Sequence, residues 1–571
     1  MTAETFFANF GHLADAPNGV KKLRELILQL AVQGKLVPQD VNDEPVSVFL
    51  EKVEAEKKRL KELGKIKRLP AVEAVKDEEK PFAVPQGWEW PRLDTVCSYI
   101  QRGKGPKYVE QSDIPVVSQK CVQWAGFTLV PARYICPSTL EKYVEERFLR
   151  SGDLLWNSTG TGTIGRINIY KHEDNPYEIV VADSHVTVVR PVFLDSSYVW
   201  IWLASPYIQA DLEGNASGST NQVELATSVV KAHVIPLPPL EEQKRIVAKV
   251  DQLMAQCDEL EAHQKKQQQG RVRLNNAALD ALLTAREPDE FADHWQRIST
   301  NFDLLYDHPA TIAKLRAAIL QLAVQGKLVP QDLNDEPVSI LLKRIKAENK
   351  RLVREGKIKK KKQSAAIYEV DKPFDLPDGI AWVRLQDLVL LLGDGLHGTP
   401  EYTPGTQYYF VNGNNLNNGL IEIKPHTKSV SYEELQKHKK ELSSNSVLVS
   451  INGTLGKVAF YNNEEIMLGK SACYFNLNEN VSKFYIKIVL ESPYWMEYAL
   501  ASATGSTIKN LGLKAMNSLP VPLPPVEEQK RIVAKVDQLM TLCDELEAKL
   551  NQTQQHSAKL MEATVQQLLV A

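Results

Sequence analysis

Cysteine is scarce in these 571 residues. The six present (Cys97, Cys121, Cys136, Cys257, Cys473 and Cys543) are scattered and form no C-x-x-C. That excludes a disulfide scaffold and argues against structural zinc. The eleven histidines form no H-x-x-x-H cluster, so no metal centre is expected. No apolar run approaches the roughly 18 residues that a membrane span needs. The opening MTAETFFANFGHLADA has no charged stretch leading into a long apolar one. It does not read as a secretory signal, and the expectation is a reduced, cytoplasmic protein. No charge sign dominates: 68 Lys+Arg face 71 Asp+Glu, for a net charge of -3. Such a balance does not announce a nucleic-acid binder, yet a basic face can be offset by acidic helices elsewhere.

Catalytic signatures are also missing. Gly160-Thr-Gly162-Thr-Ile-Gly165 and Gly393-Asp-Gly395-Leu-His-Gly398 both fit G-x-G-x-x-G. A dinucleotide site needs a helix directly after the glycines, and here a strand-like RINIY and a turn-like TPEYTPG follow instead. Gly453–Lys457 fails the P-loop spacing. No Asn/Asp-Pro-Pro-aromatic tetrapeptide, the adenine-amino methyltransferase signature, occurs. Glu242-Gln-Lys244 has a nuclease-like E-x-K spacing, but its place in the first turn of a helix reads as a helix start. The expectation is a chain with no catalysis of its own.

What the chain does contain is itself, twice. Lys22–Leu60 recurs as Lys314–Leu352 at an offset of 292, with 29 of 39 positions identical. Leu237–Ala262 recurs as Leu523–Ala548 at an offset of 286, with 23 of 26 identical. With the first type called N and the second C, the order is N, variable, C, N, variable, C. Two nearly identical frames hold two unlike inserts. A duplicated enzyme would keep its chemistry alike in both copies, whereas a duplicated reader keeps its frame and varies what it reads.

The N-type segment reads as a helix over Lys22–Gln33, a stop at Gly34, a turn, and a second helix from Pro45 to about Gly64. In the C-type segment Ile246, Val250, Leu253, Cys257 and Leu260 recur at 4, 3, 4, 3. Ile532, Val536, Leu539, Cys543, Leu546 and Leu550 repeat the rhythm, which is that of a heptad seam. Prolines precede each helix and two glutamates occupy its first turn, which suits the positive helix N-terminus. Gly270 and the Gln267–Gln269 run are the places where the first of these helices could loosen. The seam suits either ordinary amphipathic helices in separate cores or two helices packed together as a spine; the strict 3.5 period favours the spine. The inserts read as strands and hairpins: IPVVSQKCVQW, EIVVADSHVTVVRPVF, QYYFVNGNNL and NSVLVSINGTLGKVAFY.

Basic segments lead into both inserts. Residues 51–68 hold eight Lys/Arg against four Glu, and residues 341–363 hold eleven against two. They suit phosphate contact, or simply a solvated helix end and linker. The inserts share a sparse skeleton. Gly105–Tyr108 parallels Thr399–Tyr402, Gly152–Gly160 parallels Ser446–Gly453, and Ala216–Thr220 parallels Ala503–Thr507. Loop residues at these matched places can donate to or accept from base edges and phosphates. In the first insert they are Lys104, Lys107, Tyr108, Gln119, Lys120, Asn157, Thr159, Ser219 and Asn221. In the second they are His397, Thr399, Tyr402, Asn412, Asn414, Asn452, Lys457, Thr507 and Lys509. Ordinary turn chemistry explains any single one equally well.

LPPLEEQKRIVAKVDQLM at 237–254 and LPPVEEQKRIVAKVDQLM at 523–540 resemble the signature segments of type I restriction–modification specificity subunits. LILQLAVQGKLVPQD at 26–40, with its near-copy at 318–332, resembles the N-terminal and central repeats of one branch of that family. The resemblance covers the whole chain. It implies an α+β protein with a pseudo-two-fold internal duplication, in which two α/β target-recognition domains are separated by an antiparallel coiled coil of long helices. The expected segments are an N-terminal conserved helical region (1–85), a first recognition domain (86–235), a central conserved region (236–377), a second recognition domain (378–521) and a C-terminal spacer helix (522–571). It implies one half of a split double-stranded DNA site per recognition domain. The implied partners are two methyltransferase (modification) subunits and restriction/translocase subunits. S-adenosylmethionine, ATP and magnesium would then be needs of those partners, with no cofactor and no metal in this chain. Rival readings are a modification-only assembly and a coiled-coil DNA-binding regulator.

Overall fold

The computed structural model describes residues 11, 14–66, 74–160, 162–215 and 224–570. The chain divides into two units, 1–267 with 553–571, and 268–552.

The first unit opens with helix α1 (Gly19–Val32), whose Leu23, Leu26, Ile27 and Leu30 are buried. It stops where the sequence says it should. Gly34 has φ 69, and a Cβ there would lie 2.4 Å from Pro85 Cγ. Only glycine meets both demands cheaply. Helix α2 (Val46–Glu62) follows Pro45, and a short helix α3 (Leu93–Val96) leads into the insert. The insert's strands are β1 (Cys97–Arg102), β2 (Tyr108–Val109), β3 (Pro115–Val117), β4 (Arg133–Ile135), β5 (Leu154–Asn157), β6 (Ile167–Ile169), β7 (Val181–Ala182) and β8 (Val186–Pro191). They make an antiparallel sheet β1-β8-β5-β6 and a smaller sheet β2-β4-β3-β7, in which β3 and β7 run parallel. The chain then enters helix α4 (Leu240–Thr284), 45 residues, about 67 Å at 1.5 Å per residue. It runs unbroken through Gly270 and passes out of the unit after Gln267.

The second unit repeats this plan. Helices α5 (Pro309–Val324) and α6 (Val338–Arg354) match α1 and α2, and α7 (Leu385–Leu388) matches α3. Strands β9 (Val389–Asp394), β10 (Tyr408–Val411), β11 (Ser429–Val430), β12 (Ser446–Ser450), β13 (Val458–Phe460), β14 (Ile466–Leu468) and β15 (Ala472–Leu477) follow. The main sheet is β9-β15-β12-β13 and the smaller one β11-β10-β14, with β10 and β14 parallel. Even an irregularity recurs: register shifts between Cys97 and Tyr99 in β1, and between Val389 and Leu391 in β9. Helix α8 (Val526–Val570) closes the chain and lends its residues from 553 onward to the first unit.

In each unit the two repeated segments hold each other. Arg245 meets Asp43 through two guanidinium nitrogens at 2.6 and 3.2 Å, and Arg531 meets Asp335 at 2.7 and 3.1 Å. Buried Gln243 accepts from Asp195 N and donates to Pro238 O; Gln529 accepts from Ser482 N and donates to Pro524 O. The E-x-K spacing is thus a helix start whose glutamate and glutamine are buried. The heptad seam finds a partner that spacing alone does not name, the N-type helix. Arg24 on α1 pairs with Asp258 and Glu261 on α4, and Arg316 on α5 pairs with Asp544 and Glu547 on α8. Ile246, Val250, Leu253 and Cys257 share one core with α1 and with Met561 and Leu568 from the end of α8. Ile532, Val536 and Cys543 share the other with Leu279 and Leu282 from the end of α4. Each unit therefore takes the last turns of the long helix that the other begins.

The insert ends meet. Glu89 and Arg92 bridge Leu237 and Val234 in the first unit. In the second, Ala381–Arg384 pairs antiparallel with Pro520–Leu523.

Candidate nucleic-acid interface

Four loops leave one edge of the first insert together. The loop after β1 begins at Gly103, where a Cβ would lie 2.1 Å from Ala182 O. That close approach brings Lys104 beside the Asp183-Ser184-His185 connection between β7 and β8. The loop after β5 reaches the same place, because Thr159 Oγ1 and His185 Nδ1 are 2.7 Å apart. Thr163 Oγ1 of that loop donates to Gln119 Oε1 at 3.0 Å, tying in the loop after β3. Tyr108 joins through a hydrogen bond to buried Asp183 and lies beneath Arg133, whose guanidinium is 3.5 Å from the ring centre. Burial raises the pKa of both the Asp183 carboxyl and the Tyr108 hydroxyl.

The second insert gathers the matching loops with different chemistry. A Cβ at Gly395, after β9, would lie 2.3 Å from Gly469 O. Asn412, after β10, accepts from Ser471 Oγ at 3.0 Å, and Ser471 also takes the Gly413 N–H. Asn452, after β12, donates to Asn510 Oδ1 at 3.1 Å, and Gly453 N donates to Lys509 O. His397 lies 2.6 Å from Asp394. The loops between β7 and β8 and between β14 and β15, Asp183–His185 and Gly469–Ser471, are thus central to each edge.

Neither of these two connections stands out among the loops that sequence reasoning names. Their signal is a polar triplet breaking an apolar run, VVADSHVTVV and IMLGKSACYF. Exposed Lys470 and His185 belong beside the residues named from sequence.

Of those named residues, Lys104, Lys107 and Lys120 are exposed, and Tyr108, Gln119 and Thr159 are half-buried. Asn157 differs from expectation. It is the last residue of β5, fully buried, and its amide donates to Gln119 O at 3.1 Å and Val122 O at 3.2 Å. A side chain so committed shapes the loop and does not face outward. Ser219 and Asn221 lie outside the described residues. In the second insert His397, Thr399, Tyr402, Asn414 and Thr507 are exposed, while Asn412, Asn452, Lys457 and Lys509 are half-buried. Tyr402 sits on the smaller sheet, bridging Val430, with Lys428 over its ring. Asn414 O accepts from Lys424.

The basic segments divide their labour. Lys57 is buried and donates to Asp94 O at 2.6 Å and Thr95 O at 2.9 Å, capping α3. At the matching place Asn349 donates to Asp387 O, and Lys361 donates to Gln386 O at 3.0 Å. These groups are spent on the fold, which leaves fewer cations free for phosphate. Among the described residues no group of three or more His, Cys, Asp or Glu is placed to hold a metal ion. Among the same residues no helix is long and apolar enough to cross a membrane.

Two frames that are nearly copies, each presenting a loop edge of its own chemistry, define a two-domain reader. The family model for the type I restriction modification DNA specificity domain matches residues 85–268 and 377–554. The type I restriction enzyme EcoEI specificity subunit of Escherichia coli is 32% identical over 95% of this chain and 93% of its own. The EcoAI specificity subunit of Escherichia coli is 32% identical over 95% of this chain and 92% of its own. The solved HsdS subunit from Thermoanaerobacter tengcongensis aligns with TM-score 0.41 at 20% identity, over 86% of this chain and 98% of that one. The chain belongs to the type I restriction–modification specificity subunits, the non-catalytic members that carry DNA sequence specificity.

Proposed function

We propose that each insert reads one half of a bipartite duplex site through its loop edge, and that α4 and α8 set the distance between the halves. The observation that carries this reading is the matched pair of edges. Topology, bulge and glycine packing agree between the inserts, while the outward residues differ: Lys104, Gln119, Lys120, Thr159 and His185 in one, His397, Asn412, Asn452, Lys470 and Lys509 in the other. Such groups suit base edges and phosphates, with amides matching adenine and lysines matching guanine or phosphate. A frame duplicated within one chain fits two half-sites, one for each insert.

On this reading the chain brings two modification subunits, and restriction/translocase subunits with them, to the site. Methyl transfer from S-adenosylmethionine and ATP- and magnesium-dependent translocation and cleavage belong to those partners. The purified chain supplied with all three cofactors should neither methylate nor cleave DNA. Methylome sequencing of a host with and without the chain tests the whole reading. A split methylated motif that appears only with the chain is expected; an unchanged methylome would overturn it.

A further inference from the structure

The second unit holds a basic cleft that the reading edge does not use. It measures about 1590 Å³, and nine cations line it against two carboxylates, Glu441 and Glu479. The extended segment with Lys359, Lys360 and Lys362 lines it, and so do Lys439, Lys440 and Lys514. These six make no ion pair among the described residues. Lys361 pins the segment to the insert through Gln386 O and Val389 O, so the segment is held in place.

The position is telling. The cleft is lined at the start of β9 (Leu390–Leu392), ahead of β12 (Ser443–Asn445) and at the end of β15 (Asn476, Leu477). The loops Gly395–Thr399, Ile451–Lys457 and Gly469–Ser471 leave the opposite ends of the same strands. Five or six residues at about 3.3 Å each separate the two, roughly 17–20 Å. In sequence the first unit matches this lining only in part: Lys67, Arg68 and Arg147 align with Lys359, Lys360 and Lys440, whereas Leu69, Pro70 and Glu146 align with Lys361, Lys362 and Lys439. At that place in the first unit Arg190 is paired with Asp153 at 2.7 Å and Arg150 with Glu145 at 3.9 Å. Part of the basic lining is thus shared in sequence by the two repeats, and part, Lys361, Lys362 and Lys439, belongs to the second alone.

We infer that this cleft is a second, sequence-independent DNA contact, which takes the phosphate backbone of duplex outside the stretch read by the loops. Unpaired lysines are compact point charges that suit phosphates without demanding a fixed geometry. The inference rests on the DNA-specificity reading and adds an anchor to it.

The test uses the full chain, a random-sequence duplex and a duplex carrying the split motif found by methylome sequencing. Lys359, Lys360, Lys362, Lys439, Lys440 and Lys514 are changed to Ala, with Lys361 kept. The slope of log affinity against log salt should fall by about 3 to 5, at about 0.9 for each phosphate no longer neutralised. Low-salt affinity should drop about tenfold or more, and the ratio of target to random binding should stay as it was. Arginine at the six positions should restore slope and affinity, while an unchanged melting temperature shows that the fold is intact. An unchanged slope would overturn the inference, and so would a changed target ratio. Poly-L-glutamate bound by the parent and not by the alanine variant, with DNA binding unaltered, would make the cleft a protein dock and overturn it as well. Failure of the specificity reading itself shows separately, as loss of any target preference in the unaltered chain.

Discussion

Asn157 and Lys120 are alike as candidate readers in the sequence, yet the structure gives them opposite work. Asn157 is buried and holds the Gln119–Val122 turn, while Lys120 is exposed. Asn157→Ala should cost about 1–3 kcal/mol, the usual penalty for leaving buried partners unmade. Asn157→Asp should be worse, because it sets a carboxylate against two carbonyl oxygens. Lys120→Ala should leave the melting temperature alone and weaken DNA binding. Thermal melts beside binding isotherms separate the two, and equal melting temperatures for Asn157→Ala and the parent would refute the structural role. A second residue pair shows how one change in a near-copy shifts a titration. Glu242 accepts from Trp88 Nε1 at 3.0 Å, but Ile380 stands at the matching place beside Glu528. One oxygen of Glu528 has no partner, and burial pushes its carboxyl up to about 7. The folded state then keeps a proton that the unfolded chain gives up near pH 4.5. Stability is fully present below that pH and falls as pH rises toward 7. Glu528→Gln, which stays neutral, should melt like the parent at about pH 4 and above it at about pH 8. A constant difference across that range would contradict the assignment.

Elements were legible where local rules act alone. The Gly34 stop, the Pro45 start, the glutamate-led long helices and the strand-rich inserts all follow from periodicity, caps and propensity. What the long seam touches was not legible, because period gives a face and not its neighbour. Arg24 and Arg316 supply the neighbour, and both lie hundreds of residues away in sequence from the acids they meet. The loop edges were half legible for the same reason. Gly- and Pro-marked turns announced Lys104, Asn412 and Asn452. The Asp183–His185 and Gly469–Ser471 connections hid inside apolar runs and gained meaning only when Gly103 and Gly395 packed onto them. At this scale the spacer can be tested. Two helical turns added to both α4 and α8 lengthen each by about 11 Å, close to three base pairs of B-DNA. The gap between the methylated half-sites should grow accordingly, and an unchanged gap would refute the spacer role.

For the molecule as a whole, the duplication means that identity between frames and difference between inserts have one cause. The N and C segments are partners in each unit, through Arg245 with Asp43 and Arg531 with Asp335, so both copies keep the same joint. Arg531→Ala should loosen the second unit while the first stays intact. Limited proteolysis should then cut preferentially within 268–552. Replacing 86–235 with the insert of another specificity subunit should change one half-site and leave the other. Simultaneous change in both halves would show the readers to be coupled.

The meeting of each insert's ends has a further consequence, for what the frame can accept. Where Ala381–Arg384 lies hydrogen-bonded to Pro520–Leu523, the frame sees a closed clasp whatever the clasp encloses. Closing a flexible chain grows costlier only with the logarithm of its length, about 0.6 kcal/mol per doubling. An insert of half or twice the size therefore arrives at nearly the same entropic cost, provided it folds by itself and presents two adjacent ends. New recognition can be acquired by exchange at the clasp, with the joint between Arg531 and Asp335 left untouched.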